Sequence, residues 1–377
     1  MVAPHVKGIG CASFIARAVA TFTQNVSSVR KYYVAKIGAV MESEISEIPA
    51  VFAKLISDEA QFEALSKLLT ENKIQSVLIL ARGTSDNAAH FLKYLIETKL
   101  GLPVGLTSPS SVTIYRAKLK FENTLIVAIS QSGQSTDLVE YAKAAKVAGG
   151  LLISMTNDAL SPLAALADFH INLHAGKELA VAATKSYAAQ LLASLLLVRS
   201  WIGDKSNLDE LVTQASDLAQ NSELVTNAIK SCSRDHEIVT LGRGFSYPNA
   251  REAALKIQET SKISIQGLSM ADYMHGPISA LNKSTQVFIL SPHGMPASSI
   301  KDDVNRIRKD GPKIIWMGNS ELAESDDIVI SGAKCSNEIY SSIVDSILLQ
   351  RFALEFARKN GLDPDSPQGL SKVTLTI

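Results

Sequence analysis

Glu252, Lys256 and Glu259 lie at four- and three-residue spacing within Pro248-Asn-Ala-Arg-Glu-Ala-Ala-Leu-Lys-Ile-Gln-Glu259. The run is rich in strong helix formers with a proline near its start, so the spacing predicts two carboxylates and an ammonium along one helical face. An exposed ion-pair ladder uses that spacing. A half-buried acid/base row uses it too, because Ala253, Ala254 and Leu255 lie beside it and burial tunes a carboxylate for proton transfer. Further on, His275 precedes Gly276-Pro277, a forced turn that presents an imidazole rigidly, for structure or for chemistry. Ser130-Gln131-Ser132-Gly133-Gln134-Ser135 offers something different. It follows the apolar run Leu125 to Ile129 and precedes Thr136-Asp137, a helix start before the periodic Leu138, Val139, Tyr141, Ala142 and Ala145. A strand that empties into a helix N-terminus offers free N–H groups and the positive end of the helix dipole to an anion, and the serine hydroxyls add donors. An ordinary Ser/Gly turn has the same composition, so the wider pattern must decide.

That pattern is a repeat. Arg82-Gly-Thr-Ser85 matches Arg243-Gly-Phe-Ser246 at a shift of about 161 residues, and the same shift sets Thr124 on Thr285, Ser130 on Ser291 and Gly133 on Gly294. Strands are expected at 74–80, 125–129, 151–155 and 169–173 in the first copy, and at 237–241, 286–290, 313–317 and 328–330 in the second. Strands alternating with helices imply an α/β fold of two tandem units, each a parallel sheet flanked by helices in a flavodoxin-like three-layer sandwich. The expected limits are 1–40 for a leader, 41–70 for a helical segment broken near Pro49, 71–205 and 206–361 for the two units, and 362–377 for a tail. Ligands of such sheets bind at the carboxyl ends of strands, where both Arg-Gly turns and the Ser130 turn fall. The second copy reads Ser291-Pro292-His293-Gly294, which loses an N–H donor and the hydroxyl pair, so one phosphate site is expected, in the first copy. His293 is read as an incidental loop histidine.

Charges balance, with 37 basic and 37 acidic residues in 377, which gives no support for a nucleic-acid or membrane surface. Cys11, Cys232 and Cys335 are too far apart for a disulfide framework or a zinc site, and a cytoplasmic protein without metal or cofactor is expected. Residues 1–40 are basic and carry no Asp or Glu, as in a transit peptide. A mis-set start, with Met41 as the true beginning, is the preferred expectation. Lys372 sits in a turn-rich tail, which frays by default but brings a lysine to a site if it docks.

Seven landmarks in order resemble the paired sugar-isomerase (SIS) domains that form the isomerase half of glucosamine-6-phosphate synthase. They are Arg82-Gly-Thr-Ser85, Ser130-Gln-Ser-Gly133, Val181-Ala-Ala-Thr-Lys185, Leu241-Gly-Arg-Gly244, Glu252-x3-Lys256-x2-Glu259, His275-Gly-Pro277 and Leu370-Ser-Lys372. The resemblance implies that Thr84, Ser85, Ser130, Gln131, Ser132 and Ser135 hold a sugar phosphate, with Val181 and Ala183 lining the site. It implies that Glu259 moves a proton between C1 and C2, that Lys256 assists, that Lys372 engages the open-chain carbonyl, and that His275 opens the ring from the neighbouring subunit of a homodimer. Four positions depart from the synthase: Gln134-Ser135 stands for Glu-Thr, Ala183 for Ser and Gln258 for a second Lys. The synthase's glutaminase domain has no counterpart here, so the expected reaction is the hydrolytic one, glucosamine 6-phosphate and water to fructose 6-phosphate and ammonia. Rival expectations are a fructosamine-6-phosphate deglycase, a galactosamine-6-phosphate deaminase, and a sugar-phosphate-sensing module of the same fold without catalysis.

Overall fold

A computed structural model describes residues 1–2, 36–291 and 298–372. It opens with three helices, α1 (Ala39–Ser46), α2 (Ile48–Ser57) and α3 (Glu59–Glu71), the first break falling at Glu47 with Pro49 in the first turn of α2. Asp58 caps α3 by accepting from the Gln61 N–H at 3.3 Å. The expectations for residues 3–35 lie outside the described residues.

The first sheet comprises β1 (Ser76–Leu80), β2 (Val104–Leu106), β3 (Thr124–Ile129), β4 (Leu151–Thr156) and β5 (Phe169–Asn172). All neighbours are parallel, in the order β2-β1-β3-β4-β5. Every residue of β3 is buried, which is why its sequence is an uninterrupted apolar run rather than an alternation. Helix α4 (Thr84–Lys99) follows β1 and α5 (Thr136–Val147) follows β3, while α6 (Lys185–Ile202) and α7 (Asp209–Gln220) lead into the second unit. There β6 (Ile238–Gly242), helix α8 (Tyr247–Ser261), β7 (Gln266–Ser269), α9 (Met270–Met274), β8 (Gln286–Ser291), α10 (Lys301–Arg308), β9 (Lys313–Gly318), β10 (Ile328–Ser331) and α11 (Glu338–Lys359) repeat the plan. The order β7-β6-β8-β9-β10 is the first sheet's order over again, as the internal repeat requires.

Two strands escape the sequence pattern, β2 and β7, and both are short edge strands carrying a glycine. The glycines mark close approach. A Cβ at Gly105 would lie 2.7 Å from Leu78 Cδ2, and one at Gly267 would lie 2.6 Å from the Ala250 and Arg251 backbone of α8.

One apolar core runs through both units. It joins Phe52 of α2, Leu92 of α4, Tyr187 of α6, Ile257 of α8 and Phe352 of α11. Phe91 of α4 meets Phe245 edge-on at 5.6 Å between centroids, so the helix after β1 and the turn after β6 are packed together. The tail is docked rather than frayed: Asp365 accepts from the Val40 and Met41 N–H groups at 2.9 and 2.8 Å, and Asp363 from Gly38 at 3.3 Å. These are the free donors at the start of α1, satisfied by carboxylates more than 300 residues away in sequence.

Asp345 of α11 is wedged beneath β9 and β10, where Cβ atoms at Gly318 and Gly332 would come within 3.0 and 2.7 Å of its carboxylate. It accepts the Ala333 N–H at 2.7 Å and has no ion pair among the described residues. Burial pushes its carboxyl up to about 7. The folded chain therefore holds this proton over a window in which the unfolded chain has released it, and stability falls as pH rises from about 4 through about 7. Asp345→Asn should remove that slope. Chemical denaturation should show the variant gaining up to about 4 kcal/mol on the wild type between about pH 4 and about pH 8, and parallel pH curves would refute the burial argument.

Candidate active site

The Ser130 turn is built around one glycine. Gly133 has φ +62°, and a Cβ there would lie 2.2 Å from Ser161 Oγ, so no other residue fits without moving the neighbouring loop. Ser130 Oγ accepts the Gly133 N–H at 3.1 Å and Ser132 Oγ accepts that of Gln134 at 3.3 Å. Both hydroxyls thus keep their own protons to donate to an anion. Ser135 is the N-cap of α5, yet its hydroxyl makes no capping bond. Because Leu80 of β1 pairs with Ala128 of β3, the turn after β1 runs beside this cradle. From there the sheet continues to β2 on one side and to β4 on the other, the switch point at which such folds bind ligands.

The neighbouring turn faces the second unit. Thr84 Oγ1 donates to Glu252 Oε1 at 3.1 Å, and Ser85 Oγ accepts from Gln190 of α6 at 2.9 Å. The two residues that resemblance assigns to phosphate here are therefore tied to α8 and α6. Arg82, at the start of the turn, donates from Nε to Asp137 Oδ2 at 2.9 Å and links the two turns.

Helix α8 carries the titratable row, and the row is inside the protein, which corrects the exposed-ladder alternative. Glu252 and Lys256 are fully buried, while Glu259 keeps 22 % of its side chain exposed. Lys256 Nζ lies 3.5 Å from Glu252 Oε1 and donates to Glu259 Oε2, while Asn87 of α4 donates to Glu252 Oε2 at 2.8 Å. Burial pushes the Glu252 carboxyl up to about 7, although Lys256 and Asn87 favour its charged form. For Lys256, burial favours the neutral amine, but Glu252 and Glu259 outweigh it and hold the ammonium above its ordinary value. The row thus buries two of its three members and leaves Glu259 facing water.

Beside it lies a loop that the sequence reading credited only at Val181 and Ala183. Both are half-buried, and the Val181 N–H donates to the Asp365 carbonyl at 3.2 Å. The loop's organiser is Glu178, which spacing did not single out because it belongs to no periodic segment. Its buried carboxylate accepts from Thr184 N, Ser186 N and Ser186 Oγ at 3.0, 3.0 and 2.7 Å, and from Lys372 Nζ at 2.8 Å. Burial works to raise the Glu178 carboxyl, but Lys372 and the Ser186 donors prevail and hold it below the usual range. Lys372 also donates to the Ala180 carbonyl at 2.7 Å, and Glu44 of α1 accepts from the Leu179 and Ala180 N–H groups. Lys256 feels the Glu178 charge, so the two clusters adjoin.

His275, just past α9, does not join this row. It is exposed, and its imidazole makes no hydrogen bond or ion pair among the described residues. Beyond Ser291 at the end of β8, the second copy's counterpart of the cradle, including His293, lies outside the described residues. Among the described residues no group of three His, Cys, Asp or Glu is placed to hold a metal ion, and no helix is long and apolar enough to cross a membrane.

Comparison with known proteins agrees with the two-unit plan. The SIS domain model matches residues 69–200 and 232–357. Glutamine–fructose-6-phosphate aminotransferase of Thermococcus kodakarensis is 31% identical over 310 residues, 78% of this chain and 51% of that protein. Its namesake in Pyrococcus horikoshii is 29% identical over 342 residues, 88% and 57% respectively. The chain thus spans about half the length of the curated relatives it matches. Among solved structures, a protein of Silicibacter pomeroyi DSS-3 proposed to be a phosphosugar isomerase superposes with TM-score 0.78 at 29% identity, covering 86% of this chain and 99% of that one. The glucosamine-6-phosphate deaminase of Thermotoga maritima shares the fold with TM-score 0.67 at 23% identity, covering 86% and 100%.

Lys256→Met should show what holds the row together. It leaves two carboxylates facing each other with no cation, and chemical denaturation should register a loss of about 3–5 kcal/mol. A loss below about 1 kcal/mol would show that the pair is solvated in solution.

Proposed function

The chain belongs to the SIS domain family, and on that premise we propose that it is a glucosamine-6-phosphate deaminase acting as a homodimer. The observation that carries the proposal is the hydrogen bond from Thr84 to Glu252, which joins the turn beside the Ser130 cradle in one unit to the Glu-Lys-Glu row in the other. A 6-phosphate anchored at Ser130, Gln131, Ser132 and Ser135 would place the sugar's reacting end toward that row. The open-chain 2-amino aldose then needs a proton moved from C2 to C1, a proton supplied to O1 and one lost from nitrogen. Glu259 is the water-facing carboxylate suited to the carbon-to-carbon shift, and the adjoining Lys256 ammonium suits the developing charge on O1. The shift leaves an imine at C2. Water adds there and ammonia leaves, giving fructose 6-phosphate, so water is the only co-substrate.

Ring opening needs an acid at O5, and His275 has the chemistry but is turned to solvent. A second copy would supply it to this site while receiving the first copy's His275 in return. Lys372, held by Glu178 beside Val181 and Ala183, has the chemistry to meet the open-chain carbonyl.

The assay is coupled detection of fructose 6-phosphate and ammonia from glucosamine 6-phosphate, with galactosamine 6-phosphate and a fructosamine 6-phosphate alongside. Equimolar products without glutamine are expected, and release from either alternative substrate alone would reassign the reaction. Glu259→Gln should bind the sugar phosphate yet lose ammonia release by about 10²–10⁴-fold. Mixed and reassociated Glu259→Gln and His275→Gln proteins, each inactive alone, should regain part of the activity; a mixture as inactive as its components would exclude a shared site.

A further inference from the structure

The cradle has a charge problem that its serines do not solve. A phosphate monoester carries nearly two negative charges at neutral pH, and Asp137, in the first turn of α5, adds a carboxylate beside the site with only 2 % of its side chain exposed. Hydroxyls and amide donors bring no net charge. Within the two turns, residues 82–85 and 130–137, Arg82 is the only basic residue.

Arg82 uses one of its donors and keeps the rest. Nε donates to Asp137 Oδ2 at 2.9 Å, while Asp137 Oδ1 is occupied by the Leu138 N–H at 2.9 Å. Its Nη groups make no hydrogen bond among the described residues, and 52 % of the side chain is exposed. Side-on pairing through Nε fixes the guanidinium plane and leaves its paired Nη donors for a second acceptor, the geometry in which arginine grips phosphate oxygens. Asp137 is thus the orienting partner, and the free fork sits at the junction of the two turns that bound the cradle.

We propose that Arg82 is a direct ligand of the substrate phosphate, held in place by Asp137, and that it makes the site selective for a phosphate dianion over a neutral sugar. The proposal rests on the reading of the Ser130 turn as a phosphate site, and it assigns this site's counter-charge to a residue outside the serine loop.

The test is calorimetric binding of a hexitol 6-phosphate, which has no carbonyl and cannot turn over, with the unphosphorylated hexitol as control. Arg82→Met should weaken binding on the order of 10- to 100-fold and flatten its salt dependence, while Arg82→Lys keeps part of the affinity. Arg82→Met strands the buried Asp137 charge, so Arg82→Met/Asp137→Asn is the companion variant that removes this strain. If Arg82 is a ligand, the double variant stays at least about tenfold weaker than wild type, as expected for one lost charged hydrogen bond. Wild-type affinity in the double variant would overturn the proposal, because neutralising Asp137 would then be all that Arg82 does. Equal affinity of Arg82→Met and wild type would overturn it as well. Wild-type binding without ammonia release would instead overturn the deaminase reading and leave the role of Arg82 standing.

Discussion

A lysine ammonium with no access to water stays charged only where carboxylates meet it, and Lys256 is such a lysine. Glu252 on one side and Glu259 on the other meet that requirement, but Glu252 is itself fully buried and needs donors of its own. Those donors come from the first unit, through Thr84 and Asn87. The charge on one helix therefore dictates how the two units are joined, and the apolar contact of Phe91 with Phe245 holds the same junction from beside it.

The same logic extends outward. Glu178 is buried and must be satisfied, and three of its partners are backbone and hydroxyl groups at the start of α6, Thr184 and Ser186. The fourth is Lys372, which reaches it only because Asp363 and Asp365 moor the tail on the start of α1. A helix terminus that needs acceptors, a tail that carries them and a carboxylate that needs a cation thus form one chain of mutual dependence. The Ser130 turn stands outside that chain of dependence. Its geometry is set by Gly133 against Ser161, and its link to the rest runs through the turn that carries Arg82 and Thr84.

Most of the architecture was legible in the residues. Eight of the ten strands announce themselves by apolar runs at matching positions in the two copies, and the repeat alone implies that both sheets share one order. The two that do not, β2 and β7, are too short and too glycine-bearing to show a β pattern; their positions are set by Leu78 and α8 pressing against them. The cradle was legible as well, since a strand, a glycine and a helix start define it locally.

What the sequence determined by itself was local or periodic: the strands, the Ser130 turn, and the common face of Glu252, Lys256 and Glu259. Only the tertiary structure decided that this face is buried, because burial depends on α4 and α11 packing over α8. It also diverted Thr84 to Glu252 and Ser85 to Gln190, recruited Glu178 from an aperiodic loop, and left His275 facing outward. The hydrogen bonds among these join residues more than 100 positions apart in the chain, and partners at such separation leave no spacing in the sequence from which they could be read.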